Sequence, residues 1–319
     1  MNNKTSIFIL SMPNSPRLPY LEKRLKAIGI KKYKVFNGSY GKTPKERHKI
    51  YSFYNKVFAK DYIGREMSFN EIGAATTSIK VYRYIVKKNI KNSIIMTDDI
   101  YPSIILKQWI ENKIFFKGNQ VIGFFCAPSG FLEKENYKTI FSKEKIFIHT
   151  ARTHIFVSQC MQVTLGFCKK YLKVTKGKVS GQNDFPFNLR KNKIKISQTI
   201  PYLAYPADRG ISFVSSDRES CNKAIFSKKI KNIITSFLIL KKLFFFVRAI
   251  YYLSYLGYFI QSKGNLDYYN EYYFEKSKIF IINFFTNKYI DIYKIIQKKD
   301  NYPKDLKRFS NYYNFDTYS

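Results

Sequence analysis

The sequence predicts an α/β protein with a Rossmann-like arrangement of strands and helices, and three observations support that prediction. A strand, a helix and a second strand follow one another within residues 6–37. A later apolar segment ends in two adjacent carboxylates, Asp98 and Asp99. The chain has 319 residues, of which 45% are hydrophobic, and this is enough for a large buried core. Strand, helix and strand in this order are typical of a parallel sheet with right-handed crossovers.

The first strand is predicted over residues 6–10, where β-branched and aromatic side chains follow one another until polar residues and Pro13 end the run. A helix follows, because its apolar residues recur at three- and four-residue spacing and Gly29 stands where a C-terminal cap is expected. The second strand covers residues 34–36 and stops at Gly38. No G-x-G-x-x-G dinucleotide fingerprint is present. The apolar helix positions are Leu18, Leu21, Leu25 and Ile28.

An insertion and a long helix separate this unit from the carboxylate pair. Residues 39–70 show weak periodicity and are predicted to form a helical or loop insertion. Ser68 and Glu71 have the spacing of a capping box, in which each side chain bonds a free backbone N–H of the first helical turn. The helix is expected over residues 72–88. One of its faces carries Ile79, Tyr82, Ile85 and Val86.

Asp98 and Asp99 form the first candidate site. They end the apolar run that begins at Asn92, and the carboxyl ends of strands are where open α/β sheets bind ligands. If the chain is extended there, the two side chains point to opposite faces. An Asp-Asp pair is also common in solvated turns, so a purely structural role remains open at this point.

Further strands and helices are predicted up to about residue 206. Gly181 to Pro186 is predicted to be a loop that carries another carboxylate, Asp184. Helices are expected over residues 106–110 and 165–172, and strands over residues 121–125, 145–148 and 194–196.

The composition changes near residue 221, so we predict two parts, residues 1–220 and a basic, aromatic, helical extension over residues 221–319. The apolar stretch 243–260 contains Arg248 and is short for a membrane span. An interfacial helix on an anionic leaflet fits this pattern, and a buried core helix is the alternative.

Composition also limits the possible functions. The net charge of +34 favours an anionic partner, although the charge is spread along the chain and no nucleic-acid reader motif accompanies it. The four cysteines have no C-x-x-C spacing and only three histidines are present, so no zinc site is expected. Reduced cysteines and a short N-terminal apolar run predict a cytoplasmic protein.

The ordered motifs of residues 4–220 resemble glycosyltransferase family 25, which includes bacterial lipooligosaccharide galactosyltransferases. That family shows an early strand and a loop with an arginine, an A-V-D-G-like turn, a G-E-I-G-C-x-x-S-H helix start and an E-D-D strand end. Here they correspond to Arg17, to Phe36-Asn37-Gly38, to Glu71-Ile72-Gly73 and to Thr97-Asp98-Asp99. The sequence departs from the motifs in having Asn37, Asn70, Ala74, Thr77, Ser78 and Thr97.

The resemblance implies a GT-A-like fold, with a Rossmann-type mixed sheet flanked by helices. It implies inverting transfer of a sugar, such as galactose from UDP-galactose, to a lipid-linked saccharide at the inner face of the inner membrane. The leaving diphosphate needs a cation, so Mn²⁺ or Mg²⁺ is expected on Asp98 and Asp99. One aspartate is expected to bind the metal, and the other the donor's ribose or a sugar hydroxyl.

The remaining site residues follow from the same resemblance and from the chemistry it requires. Arg17 is expected to pair with a phosphate or to lie on a helix surface, and Asn37, Gly38 and Asp98 are expected to contact the donor. The catalytic base is expected to be Asp184 or Glu71. A non-catalytic relative that binds sugar nucleotide or the membrane surface is the alternative, because Thr97 replaces an acid. Nucleic-acid binding would rest on charge alone and is not expected.

Overall fold

A computed structural model describes residues 5–41, 43–56, 67–125, 131–134, 138–139, 146–152, 159–179, 193–207, 286 and 289–291. These residues form a mixed sheet with helices packed on both faces, so the predicted α/β class is confirmed. The Asp184 loop and the stretch 243–260 lie outside the described residues, as does most of the predicted C-terminal extension. No helix in the described ranges is both long and apolar enough to cross a membrane.

The secondary-structure elements follow the predicted order with several additions. The helices are α1 (Leu18–Ala27), α2 (Pro44–Tyr51), α3 (Phe69–Lys87), α4 (Ile104–Glu111) and α5 (Leu165–Val174). The strands are β1 (Ser6–Ser11), β2 (Lys34–Asn37), β3 (Asn92–Thr97), β4 (Ile100–Pro102), β5 (Gln120–Gly123), β6 (Phe131–Glu133), β7 (Lys138–Thr139), β8 (Phe147–Thr150), β9 (Cys160–Thr164), β10 (Lys195–Ile200), β11 (Ala204–Pro206) and β12 (Tyr289–Asp291).

The main sheet has eight strands in the order β2-β1-β3-β9-β5-β10-β8-β7. Strand β1 is parallel to both β2 and β3, which confirms the predicted parallel unit. Strand β9 runs antiparallel between β3 and β5, and β8 runs antiparallel to β10. Two further pairs, β4 with β11 and β6 with β12, lie outside this sheet.

The strand order reverses at β1, and in open α/β sheets such a reversal forms a crevice at the carboxyl ends of the strands. Side chains of β1 alternate between two cores, with Phe8 and Leu10 in the core that contains α3 and Ile7 and Ile9 in the core that contains α1. The connections that leave β1 and β2 therefore pass over opposite faces. Ligands of open α/β sheets bind at the carboxyl ends of the strands at such a reversal.

Strand β9 was not predicted, because polar Gln162 interrupts its apolar pattern. In the structure Gln162 is fully buried and its amide is bonded on both sides. Trp109 donates its Nε1–H to Gln162 Oε1 at 2.6 Å, and Gln162 Nε2 donates to the carbonyl oxygen of Ile114 at 2.8 Å. These bonds offset the desolvation of the amide, so a glutamine can occupy a central strand.

Two local predictions are confirmed. Ser68 and Glu71 form a reciprocal capping box, and the helix they cap begins at Phe69, three residues earlier than the apolar pattern suggested.

Cys160 and Cys168 are free, buried thiols, and burial raises the pKa of both far above the usual range. These two cysteines are therefore core side chains and not reactive thiolates.

Candidate functional site

The carboxylate pair lies in a two-residue turn between β3 and β4, at the crevice where the strand order reverses. Of the two backbone geometries considered for Asp98 and Asp99, the structure has the turn and not the extended strand, because the chain turns after Thr97. The backbone N–H of Asp98 donates to the carbonyl oxygen of Leu10 at 3.1 Å, which attaches the turn to the end of β1. The turn thereby joins two strand ends that are far apart in sequence.

The Asp98 carboxylate is buried and has partners on both oxygens. The hydroxyl of Ser11 donates to Oδ2 at 2.7 Å. The Arg17 guanidinium lies 3.1 Å from Oδ1, and only 4% of the Asp98 side chain is exposed. The Arg17 guanidinium and the Ser11 hydroxyl thus supply this buried side chain with a counter-charge and a hydrogen bond.

The Asp99 carboxylate is more open, because 32% of its side-chain surface is exposed. The Thr97 hydroxyl donates to Oδ1, and Oδ2 lies 4.0 Å from Arg17 Nη1. Burial raises the pKa of the Asp99 carboxyl, and the hydrogen bond from Thr97 and the charge of Arg17 offset part of that rise. Asp99 is therefore the member of the pair that a ligand reaches first from solvent.

Arg17 lies beside both aspartates. It is the N-cap residue of α1, and its side chain makes no capping hydrogen bond. The guanidinium is therefore free to extend from the start of the helix to the carboxylates. Only 17% of the Arg17 side chain is exposed, and its pairing with a phosphate stays a prediction.

The turn after β2 lies beside the same crevice. The Gly38 N–H donates to the carbonyl oxygen of Ser11 at 2.6 Å, and a Cβ at Gly38 would lie 2.6 Å from Met12 Sδ. A side chain at this position would therefore require the Met12 side chain to move. Asn37 precedes Gly38 and is exposed, so its amide is accessible to a ligand.

Helix α3 holds this turn through residues of the motif that begins at Glu71. The Ser39 N–H donates to Thr77 Oγ1 at 2.8 Å, and the same hydroxyl donates to the carbonyl oxygen of Gly73 at 2.9 Å. A Cβ on Gly73 would lie 2.4 Å from the Ser39 carbonyl oxygen. Gly73 and Thr77 therefore allow the helix to approach the turn and lock it in position.

Glu71 itself caps the helix. Its Oε2 accepts a hydrogen bond from the Ser68 N–H at 2.9 Å, and the residue is 2% exposed. The structure thus gives Glu71 a clear structural role, and a role as the catalytic base stays a prediction. The other predicted base, Asp184, lies outside the described residues.

The predicted metal site can be tested against the available ligands. In the part of the chain that the structure describes, no group of three or more histidine, cysteine, aspartate or glutamate residues could hold a metal ion. The carboxylate oxygens of Asp98 and Asp99 are nevertheless of the type that binds Mg²⁺ or Mn²⁺, since such ions are often held by one or two carboxylates together with substrate phosphates and water. A metal at this position would share its carboxylates with Arg17.

The fold brings together some of the predicted residues and adds others. Arg17, Asp98 and Asp99 are in contact, and Gly38 joins them through Ser11. Sequence reasoning did not identify Ser11 as a site residue, although a polar side chain at the end of an apolar strand was the available signal. Thr97 was noted only as a departure from a motif, and its bond to Asp99 was not foreseen.

Comparison with known families agrees with this arrangement. The family model for glycosyltransferase family 25, described as a lipopolysaccharide (LPS) biosynthesis protein, matches residues 4–208. The match spans β1 to β11 and so includes both sides of the crevice. No match was found among curated proteins.

Proposed function

The chain belongs to glycosyltransferase family 25, a family of LPS biosynthesis proteins, and from this premise we propose that it is an inverting, metal-dependent galactosyltransferase. The proposed donor is UDP-galactose and the proposed acceptor is a lipid-linked saccharide of lipopolysaccharide or lipooligosaccharide. We further propose a GT-A-like catalytic domain over residues 1–220. The basic extension over residues 221–319 would hold the protein at the inner face of the inner membrane, through the anionic lipid surface.

The cluster of Arg17, Asp98 and Asp99 is the observation that carries this proposal. It lies at the carboxyl ends of β1 and β3, at the reversal of strand order. A bound Mn²⁺ or Mg²⁺ would supply charge neutralisation for the departing diphosphate. Asp99 is the more exposed carboxylate and would reach the metal first, whereas Asp98 orients Arg17. Arg17 offers further N–H groups for a phosphate oxygen.

Inversion requires a base within hydrogen-bond reach of the acceptor hydroxyl. Asp184 is the favoured candidate, since the Glu71 carboxylate already accepts the hydrogen bond that closes the capping box. Asn37 and Gly38 would contact the donor from the β2 side, because their turn borders the crevice.

The test is a screen of UDP-sugars for release of UDP and for sugar transfer, with and without Mn²⁺. We expect metal-dependent release from one UDP-hexose, and we expect Asp98→Asn to lower the rate by about 100-fold or more, the range typical of removing a key electrostatic group. Glu111→Gln is the matched control, because it removes an exposed carboxylate on α4. The proposal fails if no UDP-sugar is turned over, or if the two variants have the same rate.

The second candidate is a non-catalytic relative that binds sugar nucleotide or the membrane surface. Thr97 favours it, because its hydroxyl engages Asp99 where the family motif has a further acid. Binding of UDP without turnover of any UDP-sugar would support this candidate over the transferase. Thr97→Glu, which restores the acid of the family motif, would then be the substitution to examine for recovery of transfer.

A further inference from the structure

A lysine on α3 lies beside the turn that follows β2. Lys80 donates from Nζ to the hydroxyl of Ser39 at 2.7 Å. Ser39 is buried, and its backbone N–H is fixed by Thr77 at 2.8 Å. The ammonium group is therefore held by a rigid part of the fold, while the Lys80 residue as a whole remains exposed to solvent.

The charge of Lys80 has no counter-ion within the described residues. None of the ion pairs found there includes Lys80 or Lys49, and the charged neighbour that acts on Lys80 is the like charge of Lys49 on α2. Partial burial lowers the pKa of Lys80, and Lys49 lowers it further. An ammonium has three N–H donors, and the Ser39 hydroxyl accepts only one of them. Two cations thus share a region in which an anion would relieve their repulsion.

This region is continuous with the candidate active site. Ser39 follows Gly38, whose N–H donates to the Ser11 carbonyl, and the Ser11 hydroxyl donates to Asp98. Lys80 therefore lies at the same edge of the sheet as the carboxylates, on the side of β2. Tyr40, the residue after Ser39, is 42% exposed.

We propose that Lys80, positioned by Ser39 and assisted by Lys49, binds a phosphoryl group of the nucleotide-sugar donor. This inference rests on the proposed function and adds residues on α2 and α3 to its donor site. A compact ammonium that keeps free N–H groups is a common ligand for phosphate oxygens. Lys80 and Lys49 are only two neighbouring cations, and such a pair suits one phosphoryl group better than an extended polyanion.

The test is titration of the full chain with UDP, uridine and inorganic pyrophosphate by calorimetry. We expect Lys80→Gln to weaken UDP binding about tenfold or more, as is typical of losing a charge-assisted hydrogen bond. Uridine binding should stay the same, because uridine has no phosphate. Lys87→Gln is the matched control, since Lys87 is an exposed lysine seven residues later on the same helix, and it should change UDP affinity less than twofold. Lys80→Arg keeps the charge and should bind UDP more tightly than Lys80→Gln.

The outcomes separate this inference from the proposed function. If the unmodified protein binds UDP and Lys80→Gln binds it equally well, the lysine site is refuted while the transferase proposal stands. If pyrophosphate binds in a Lys80-dependent manner and UDP does not bind, the phosphoryl site stands and the UDP-sugar donor is refuted. Equal loss of UDP and uridine binding would show that the variant disturbs the fold, and would overturn the phosphate contact. Loss of binding to anionic phosphatidylglycerol vesicles with unchanged UDP affinity would assign the lysine to lipid and also overturn it.

Discussion

The Arg17 guanidinium lies 3.1 Å from the Asp98 carboxylate, and this ion pair connects the start of α1 to the turn after β3. The Ser11 hydroxyl bonds the other oxygen of the same carboxylate. Three separate parts of the chain therefore meet on one buried acid. The arrangement stabilises the crevice before any ligand binds, so variants of its residues should affect stability as well as activity.

Replacing Arg17 with glutamine should lower the free energy of unfolding by about 3 kcal/mol, because it leaves the Asp98 charge buried without a cation. Urea denaturation at neutral pH measures the change. Lys107→Gln is the control, since it breaks the exposed Lys107–Glu111 pair and should cost less than about 0.5 kcal/mol. Equal losses in the two variants would show that the Arg17 pair contributes no more than a surface ion pair.

Replacing Gly73 with alanine should destabilise the protein, although alanine usually stabilises a helix interior by about 0.5–1 kcal/mol. The added Cβ would lie 2.4 Å from the Ser39 carbonyl oxygen, which is a backbone atom. We expect a loss of about 2 kcal/mol in thermal or urea unfolding, typical of overpacking. The reverse change at the next position, Ala74→Gly, should cost only about 1 kcal/mol, the ordinary helix-propensity penalty. A Gly73→Ala variant that is more stable than the parent would contradict the close approach of helix and turn.

Replacing Thr77 with valine should cost about 1–3 kcal/mol, because the buried Ser39 N–H would lose its acceptor. Thr77→Ser keeps the hydroxyl and should be close to neutral. Comparing the unfolding midpoints of the two variants tests the hydrogen bond apart from the change in side-chain volume. If serine were as harmful as valine, the lost methyl group and not the hydroxyl would be the important feature.

Replacing Asp99 with asparagine should give a stability difference that depends on pH. Burial raises the pKa of the Asp99 carboxyl above its usual 3.8. At a pH between 3.8 and the raised pKa, the folded protein therefore holds the Asp99 proton more tightly than the unfolded chain does. The contribution of this group to stability is therefore complete below pH 3.8 and is lost as the pH rises through the raised value. Asparagine cannot ionise, so the Asp99→Asn variant does not lose this stability as the pH rises.

We accordingly expect Asp99→Asn to become more stable than the parent as the pH rises from 4 towards neutrality, by on the order of 0.5 kcal/mol. Urea midpoints measured at a series of pH values give this difference directly. A difference that shrinks with rising pH would contradict the burial of the carboxyl. Such a gain in stability would also mark Asp99 as a residue kept at some cost in stability.

Much of the fold could be predicted because its first half is locally encoded. The spacing of Leu21 and Leu25, the Gly29 cap and the Ser68 capping box each specify structure through near neighbours in the chain, and each is present in the structure. Strand β9 could not be predicted in the same way. Gln162 is acceptable there only because Trp109 and Ile114 bond its amide, and no local pattern contains that information.

In the candidate site, too, the features set by neighbouring residues could be predicted, and those set by distant contacts could not. An apolar strand ending in acids was sufficient to select Asp98 and Asp99, but it could not decide between an extended strand and a turn at these residues. The contact of Asp98 with Ser11 joins residues 87 positions apart, so it depends on the pairing of β1 with β3. Glu71 was a possible base only through the family resemblance, whereas its spacing from Ser68 correctly predicted a helix cap.

The pairing of β12 with β6 has a practical consequence for shortened forms of the protein. Tyr289, Ile290 and Asp291 are paired with Glu133, Leu132 and Phe131, so residues beyond the family match complete a strand pair inside it. A recombinant fragment ending at residue 208 would leave the backbone N–H and C=O groups of β6 without these partners. Uncovered strand edges promote association between chains. Expression of residues 1–208 alone should therefore yield more aggregate than expression of the whole chain, even though Ser11, Arg17, Asp98 and Asp99 would be retained.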